Sequence, residues 1–261
     1  MEVAFIIITL VVFLYILRAT AIKKNKQSKN REISTDEREV LETNVAFYQK
    51  LPEEKKRVFE QKVLSFLEGV IIEGIGTDVT LSDRMLIASS AVIPIFGFPD
   101  WKYKNLRNIL VYPENFNKSY QFEGHADRNI MGMVGDGLMN GKMLLSQSAL
   151  RAGFSMSNDG NNTAIHEFVH LLDKSDGATD GIPEYLLNHS YTIPWLKIIH
   201  QEMLKIEKNK SDINPYALTN EAEFFAVVSE YFFEKPDQLK KRHPELYEKL
   251  TLIFDQDLAV N

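Results

Sequence analysis

In the segment Thr163-Ala164-Ile165-His166-Glu167-Phe168-Val169-His170-Leu171-Leu172-Asp173, two histidines stand four residues apart with a glutamate directly after the first. Residues four apart share one face of a helix, so His166 and His170 can offer ring nitrogens to a single metal ion. Glu167 is then swung toward the open side of that ion, where its carboxylate can take a proton from a zinc-activated water. Ile165, Val169 and Leu172 recur at helical spacing, which predicts a buried helix. Asp173 lies on the ligand face and is expected to accept the second N–H of a liganding imidazole, fixing its tautomer.

Two histidines make an incomplete site, so a third ligand is needed. Asp176, Glu184, His189, His200, Glu221 and Glu223 are the downstream candidates. Asp176 has the offset used by zinc helices that end in a sharp glycine turn, but this chain carries Asp173 where that glycine is needed. His189 and His200 sit in ordinary polar surroundings. Glu223 is the better choice, because it opens a segment otherwise rich in Phe, Val and Tyr, where a lone carboxylate is costly unless paired or metal-bound. Helical rotation from Glu223 turns Glu221 toward solvent, and Glu230, two turns on, is a candidate outer partner. Two histidines and a glutamate leave one position open, the catalytic rather than the structural arrangement.

The 261 residues, 44% hydrophobic, suffice for one sizeable core. There is no cysteine, which excludes disulfides, thiolate metal sites and a cysteine nucleophile. Val3 to Ile22 is a 20-residue apolar run broken only by Arg18, long enough to cross a membrane. It lacks the basic start and small-residue cleavage site of a signal peptide. Arg18 near its C-terminal end and five basic residues from Lys23 to Arg31 just beyond it leave no Lys or Arg on the N-terminal side. The positive-inside rule therefore predicts a single-pass membrane protein with its catalytic domain in the cytoplasm. Residues 1–22 are read as a transmembrane anchor, 23–35 as a basic polar tether and 36–261 as the folded domain. Beyond residue 31 the balance is 24 basic against 35 acidic residues, so no nucleic-acid partner is expected.

Within that domain, helices are predicted after Ser34 or Thr35, from Pro52 with Val58, Phe59, Val63, Phe66 and Leu67 inward, and from Ser82 to Pro94. Asn108–Pro113 and Met139–Ser146 read as strands. The second lies just before the histidine helix, where many zinc peptidases pair a strand with an extended substrate. Residues 117–137 read as loop with a hairpin. Helices follow around 195–209 and 221–233, the latter capped by Thr219 or Asn220.

His166–Asp173, Leu145-Ser146-Gln147 and Asp212-x-x-x-Tyr216-Ala217-x-Thr219-Asn220-x-x-Glu223-Phe224-Phe225-Ala226-Val227-x-Ser229-Glu230-Tyr231-Phe232-Phe233 resemble the glucose-regulated zinc metallopeptidase family, also called the Mlc titration factor A family. Arg84-x-x-Ile87-Ala88 and Val111-Tyr112-Pro113 extend the resemblance over roughly residues 50–255. It implies a core similar to the anthrax lethal factor protease domain: an α+β, predominantly helical, zincin-like (gluzincin-type) domain with a small sheet. It implies one zinc ion on His166, His170 and Glu223, Glu167 as general base, and Tyr216 as the hydroxyl that steadies the oxyanion. From the residues alone Tyr216 is equally a packed aromatic. The resemblance further implies a peptide or protein substrate, an aminopeptidase-like activity and, in some members, a regulatory partner such as a transcriptional repressor. The alternative reading is a zinc-stabilised scaffold that binds such a partner with little or no peptidase activity. The N-terminal apolar run departs from the soluble family pattern.

Overall fold

The computed structural model describes residues 31–117, 119–122, 130–134, 140–155, 160–183, 186 and 192–259. The first helix, α1 (Thr35–Asn44), starts in a capping box: the Ser34 hydroxyl accepts the Glu37 N–H while the Glu37 carboxylate accepts the Ser34 N–H. After the short α2 (Ala46–Gln49), Pro52 caps the longer α3 (Glu53–Gly69). Phe59, Val63 and Leu64 turn inward from α3, but Val58, expected in the core, is exposed. Strand β1 (Ile71–Gly74), which no sequence signal announced, leads into α4 (Leu81–Val92). Thr80 and Asp83 form a second capping box there, and almost all of α4 is buried.

The sheet is completed by β2 (Asn108–Tyr112), β3 (Gly132–Val134) and β4 (Lys142–Ser146), in the spatial order β1-β2-β4-β3. The first three neighbours run parallel, and β3 is antiparallel to β4, with Met133 opposite Leu144. The strand predicted over 139–146 is therefore β4, and it is paired on both sides. Its hydrogen-bonding groups are taken by β2 and β3, so among the described residues the sheet edges are β1 and β3, of which β3 packs on the histidine helix.

Six α-helices follow β4 among the described residues: α5 (Gln147–Ser155), α6 (Thr163–Asp173), α7 (Thr192–Glu207), α8 (Glu221–Glu234) and the consecutive pair α9 (Pro236–Arg242) and α10 (Pro244–Phe254). α6 packs between α8, α4, α5 and β3. Its apolar face, Ile165, Phe168, Val169 and Leu172, is at most 1% exposed, and burying each such side chain contributes about 1.5–3 kcal/mol. This is what makes α6 a rigid platform. From Phe224 to Phe233 every residue of α8 is buried, and Phe225 and Phe232 stack on Phe254 of α10.

The expectation of a single-pass membrane protein is corrected: among the described residues no helix is long and apolar enough to cross a membrane. The apolar helices of the domain are apolar because they are enclosed by one another. The predicted anchor, residues 1–22, and most of the tether lie outside the described residues.

Candidate metal centre

Two helix starts build the site. Asn162 caps α6 by accepting the Ile165 N–H, and Asn220 caps α8 by accepting the Glu223 N–H at 2.9 Å. Glu223 thus stands in the first turn of α8, where the helix dipole favours a negative charge. The start of α6 is tied to the last turns of α8, because the backbone N–H of Asn162 donates to Glu230 and its side-chain amide reaches Glu234.

Across this junction Nε2 of His166 lies 2.9 Å from Oε2 of Glu223 and 3.1 Å from Nε2 of His170, which is itself 3.4 Å from the same Glu223 oxygen. Donors at zinc distance in a tetrahedral shell are spaced by roughly 3.3 Å, so this triangle has the size of one face of such a shell. His166, His170 and Glu223 are the group that could hold a metal ion among the described residues. Oε1 of Glu230 lies 2.7 Å from Nδ1 of His166. A carboxylate there accepts the Nδ1 proton and leaves the Nε2 lone pair aimed at the triangle.

The electrostatics favour a cation at this point. Burial opposes charge on His166, but the Glu223 and Glu230 carboxylates on its two nitrogens raise its pKa to about 10. Burial acts to raise the pKa of Glu223, and the two histidines outweigh it, holding it down at about 2. Two carboxylates therefore converge on one imidazole, an excess of negative charge that a divalent ion would offset.

Glu167 is buried beside this triangle, and burial pushes its pKa up against the pull of both histidines. Its carboxylate lies directly under β3. A Cβ on Gly132 would stand 2.6 Å from Cγ and 2.8 Å from Oε1 of Glu167, so only glycine lets the edge strand come this close. Gly132, Val134, Glu167, Tyr216 and the triangle line one cleft of about 620 Å³. Tyr216 is carried by a 3-10 turn, Pro215–Leu218, capped by Asn214. Its ring lies 6.1 Å from that of His166 yet is 53% exposed, which excludes the packed-aromatic reading. Burial and the nearby carboxylates raise its pKa, keeping the hydroxyl protonated as a donor.

The rival third ligand Asp176 is absent from the triangle; its carboxylate accepts the Ala178 N–H instead. His200 is exposed on α7, and Glu184 and His189 lie outside the described residues. Glu221 is half-buried and lines the cleft, because the cleft wraps the start of α8 on more than one side. Asp173 does not meet a histidine ring. One oxygen accepts the Gly181 N–H at 2.8 Å, and the role expected of it, toward the other histidine, falls to Glu230. Gly132 had no signal in the sequence, being one glycine in a polar loop.

A helical domain with a small mixed sheet, whose edge strand overlies a histidine-glutamate-histidine helix, is the arrangement expected of the metallopeptidase class. The chain belongs to the glucose-regulated metallopeptidase M90 family, whose profile matches residues 19–255. It is similar to the uncharacterized protein slr2042 of Synechocystis sp., with 31% identity over 91% of this chain and 90% of the relative. It is also similar to Mlc titration factor A of Pectobacterium atrosepticum, with 28% identity over 80% of this chain and 79% of the relative. Mlc titration factor A of Salmonella arizonae is 29% identical over 77% and 80%.

Proposed function

We propose that residues 36–261 act as a zinc-dependent peptidase with His166, His170 and Glu223 as the metal ligands. The observation that carries this reading is Glu167, a carboxylate of raised pKa buried beside the ligand triangle. A structural metal site has no use for a base there. When bound, zinc supplies a Lewis acid that polarises a carbonyl and lowers the pKa of water to about 7. Glu167 takes a proton from the attacking water and returns it to the leaving amine. Tyr216 donates its hydroxyl to the carbonyl oxygen as negative charge develops. The free edge of β3 offers backbone N–H and C=O groups to an extended peptide, and Gly132 brings that peptide over Glu167. Asp180 and Glu221 line the same cleft and place acidic groups where the amino terminus of a peptide could be held, in keeping with an aminopeptidase-like activity.

The test is zinc stoichiometry and peptide hydrolysis measured side by side for the wild-type chain, Glu167→Gln and Glu223→Ala. One zinc retained without activity in Glu167→Gln, and zinc lost in Glu223→Ala, is the expected pair of results. Full zinc in Glu223→Ala sinks the ligand assignment. Peptides with free and acetylated amino termini separate aminopeptidase from endopeptidase action.

A second reading, a zinc-stabilised scaffold for a regulatory protein, is favoured by the name Mlc titration factor A borne by similar proteins. Wild-type chain that holds zinc but cleaves no peptide, and a partner that binds equally well to Glu167→Gln, would support it.

A further inference from the structure

Next to the metal cleft lies a second cavity of about 500 Å³, within the range of roughly 300–1,000 Å³ typical of ligand sites. The two are contiguous, since Val134 of β3 and Lys174 at the end of α6 line both. Leu171, one residue beyond the ligand His170, forms part of its wall.

The opposite wall comes from Trp101-Lys102-Tyr103-Lys104, in which aromatic and basic residues alternate. The aromatic members are half-buried and the lysines exposed, so the segment presents an apolar inner surface under a basic rim, joined by Lys142. This wall is firmly placed. Tyr103 packs its ring 5.2 Å from that of Phe168 and donates its hydroxyl to the Ala91 carbonyl at 2.8 Å. Trp101 packs against Phe98 with ring centroids 6.1 Å apart. The indole Nε1 of Trp101 is buried with no hydrogen-bond partner among the described residues.

We propose that this cavity is the substrate subsite that takes a bulky aromatic or long aliphatic side chain of a peptide with acidic residues beside it. The proposal rests on the peptidase reading and specifies its substrate class. The apolar wall, Trp101 and Tyr103 with Leu171 and Val134, provides affinity for the large side chain. The basic rim selects for acidic flanks, and it stands out in a chain whose formal charge is −6. A cavity that borders the cleft at Val134 and Lys174 receives the side chain of one substrate residue.

The experiment is cleavage of a mixed peptide library by the zinc-loaded full chain, compared with Trp101→Ala and with the double variant Lys102→Glu/Lys104→Glu. The wild type should favour Phe, Tyr, Leu or Met over Gly at one position by about tenfold or more in kcat/KM. Trp101→Ala should erase most of that preference, and the lysine double variant should reverse the preference for acidic flanks, both with zinc content unchanged. Binding supplies a readout without turnover. The chain has two tryptophans, so in a Glu167→Gln/Trp195→Phe background the emission of Trp101 should shift when a non-cleaved aromatic peptide binds. Hydrolysis with the same preferences in all three proteins would overturn the subsite and leave the peptidase standing. Failure of the wild type to cleave any peptide would overturn the peptidase reading and the subsite with it.

Discussion

Glu230 and His166 meet across two helices, Oε1 to Nδ1 at 2.7 Å, while the other Glu230 oxygen accepts the Asn162 N–H that begins α6. One carboxylate therefore sets both the orientation of the first histidine and the position of the helix that carries it. Glu230 is seven residues, two helical turns, beyond Glu223, so α8 delivers a ligand and the support for another ligand from the same face.

Glu230→Gln keeps the size of the side chain but removes the charge that holds the Nδ1 proton. Zinc affinity is expected to fall about 10- to 100-fold, read by competition with a chelating dye. An unchanged affinity would show that the α6–α8 junction alone orients His166.

Gly132→Ala probes the approach of β3 to Glu167. The added methyl would lie 2.6 Å from Glu167 Cγ, so either the strand or the carboxylate must move. Peptide hydrolysis should drop by at least about tenfold, since small misplacements of reacting groups are expensive in rate. Zinc content should stay at one ion, because no ligand is disturbed. Equal loss of zinc and activity would mean that the strain had spread to α6.

Tyr216→Phe removes only a hydroxyl from an exposed turn, so the melting temperature should hardly change. If the hydroxyl supports the developing oxyanion, kcat should fall about 10²- to 10³-fold with KM nearly constant. A change confined to KM would instead make Tyr216 a substrate contact.

How much of this was legible beforehand depends on the range of the interaction. His166, Glu167 and His170 are fixed by spacing within one helix, and their grouping follows from the period of 3.6 residues. Glu223 was found by a cost argument, a carboxylate at the head of an apolar helix, and the structure brings it to the histidines. What escaped was non-local. Gly132 matters only because β3 crosses above α6, and β1 is four residues long with just one of them buried, too short to show alternation. Val58 was assigned inward together with Phe59 and Val63, yet the buried stripe of α3 runs through Phe59, Val63 and Leu64 and leaves Val58 exposed. The α9–α10 pair went unread because Pro236 and Pro244, which look like breakers, in fact start each helix at its first turn.

His243 offers the clearest test of the scaffold behind the site. It is 5% exposed, with Nδ1 on Glu202 and Nε2 on Asp212, each at 2.8 Å. Asp212 also accepts from Tyr231 and Gln238 and pairs with Arg242, joining the segment that leads to the Tyr216 turn to α8 and α9. Burial alone would lower the His243 pKa, but the Glu202 and Asp212 carboxylates win and raise it. Burial likewise acts to raise Glu202 and Asp212, but the hydrogen bonds they accept, from His243 on both and from Tyr231 on Asp212, hold both carboxyls low. A raised histidine contributes stability that is complete below its unfolded pKa near 6.5 and is lost as pH climbs through the folded value. The lowered carboxylates contribute stability that is present above their unfolded pKa near 4 and is lost as pH falls through their folded values. The cluster is therefore most stabilising at about pH 5–6.5, where all three groups are charged. His243→Gln keeps hydrogen-bonding capacity but not the charge, and breaking such a buried pair costs about 3 kcal/mol. Urea denaturation should show that loss near pH 5.5 and a smaller one at a pH raised well above 6.5, once the wild-type imidazole has given up its proton. A deficit of equal size at both pH values would mean that packing of the ring, and not its charge, holds the two helices to the Tyr216 segment.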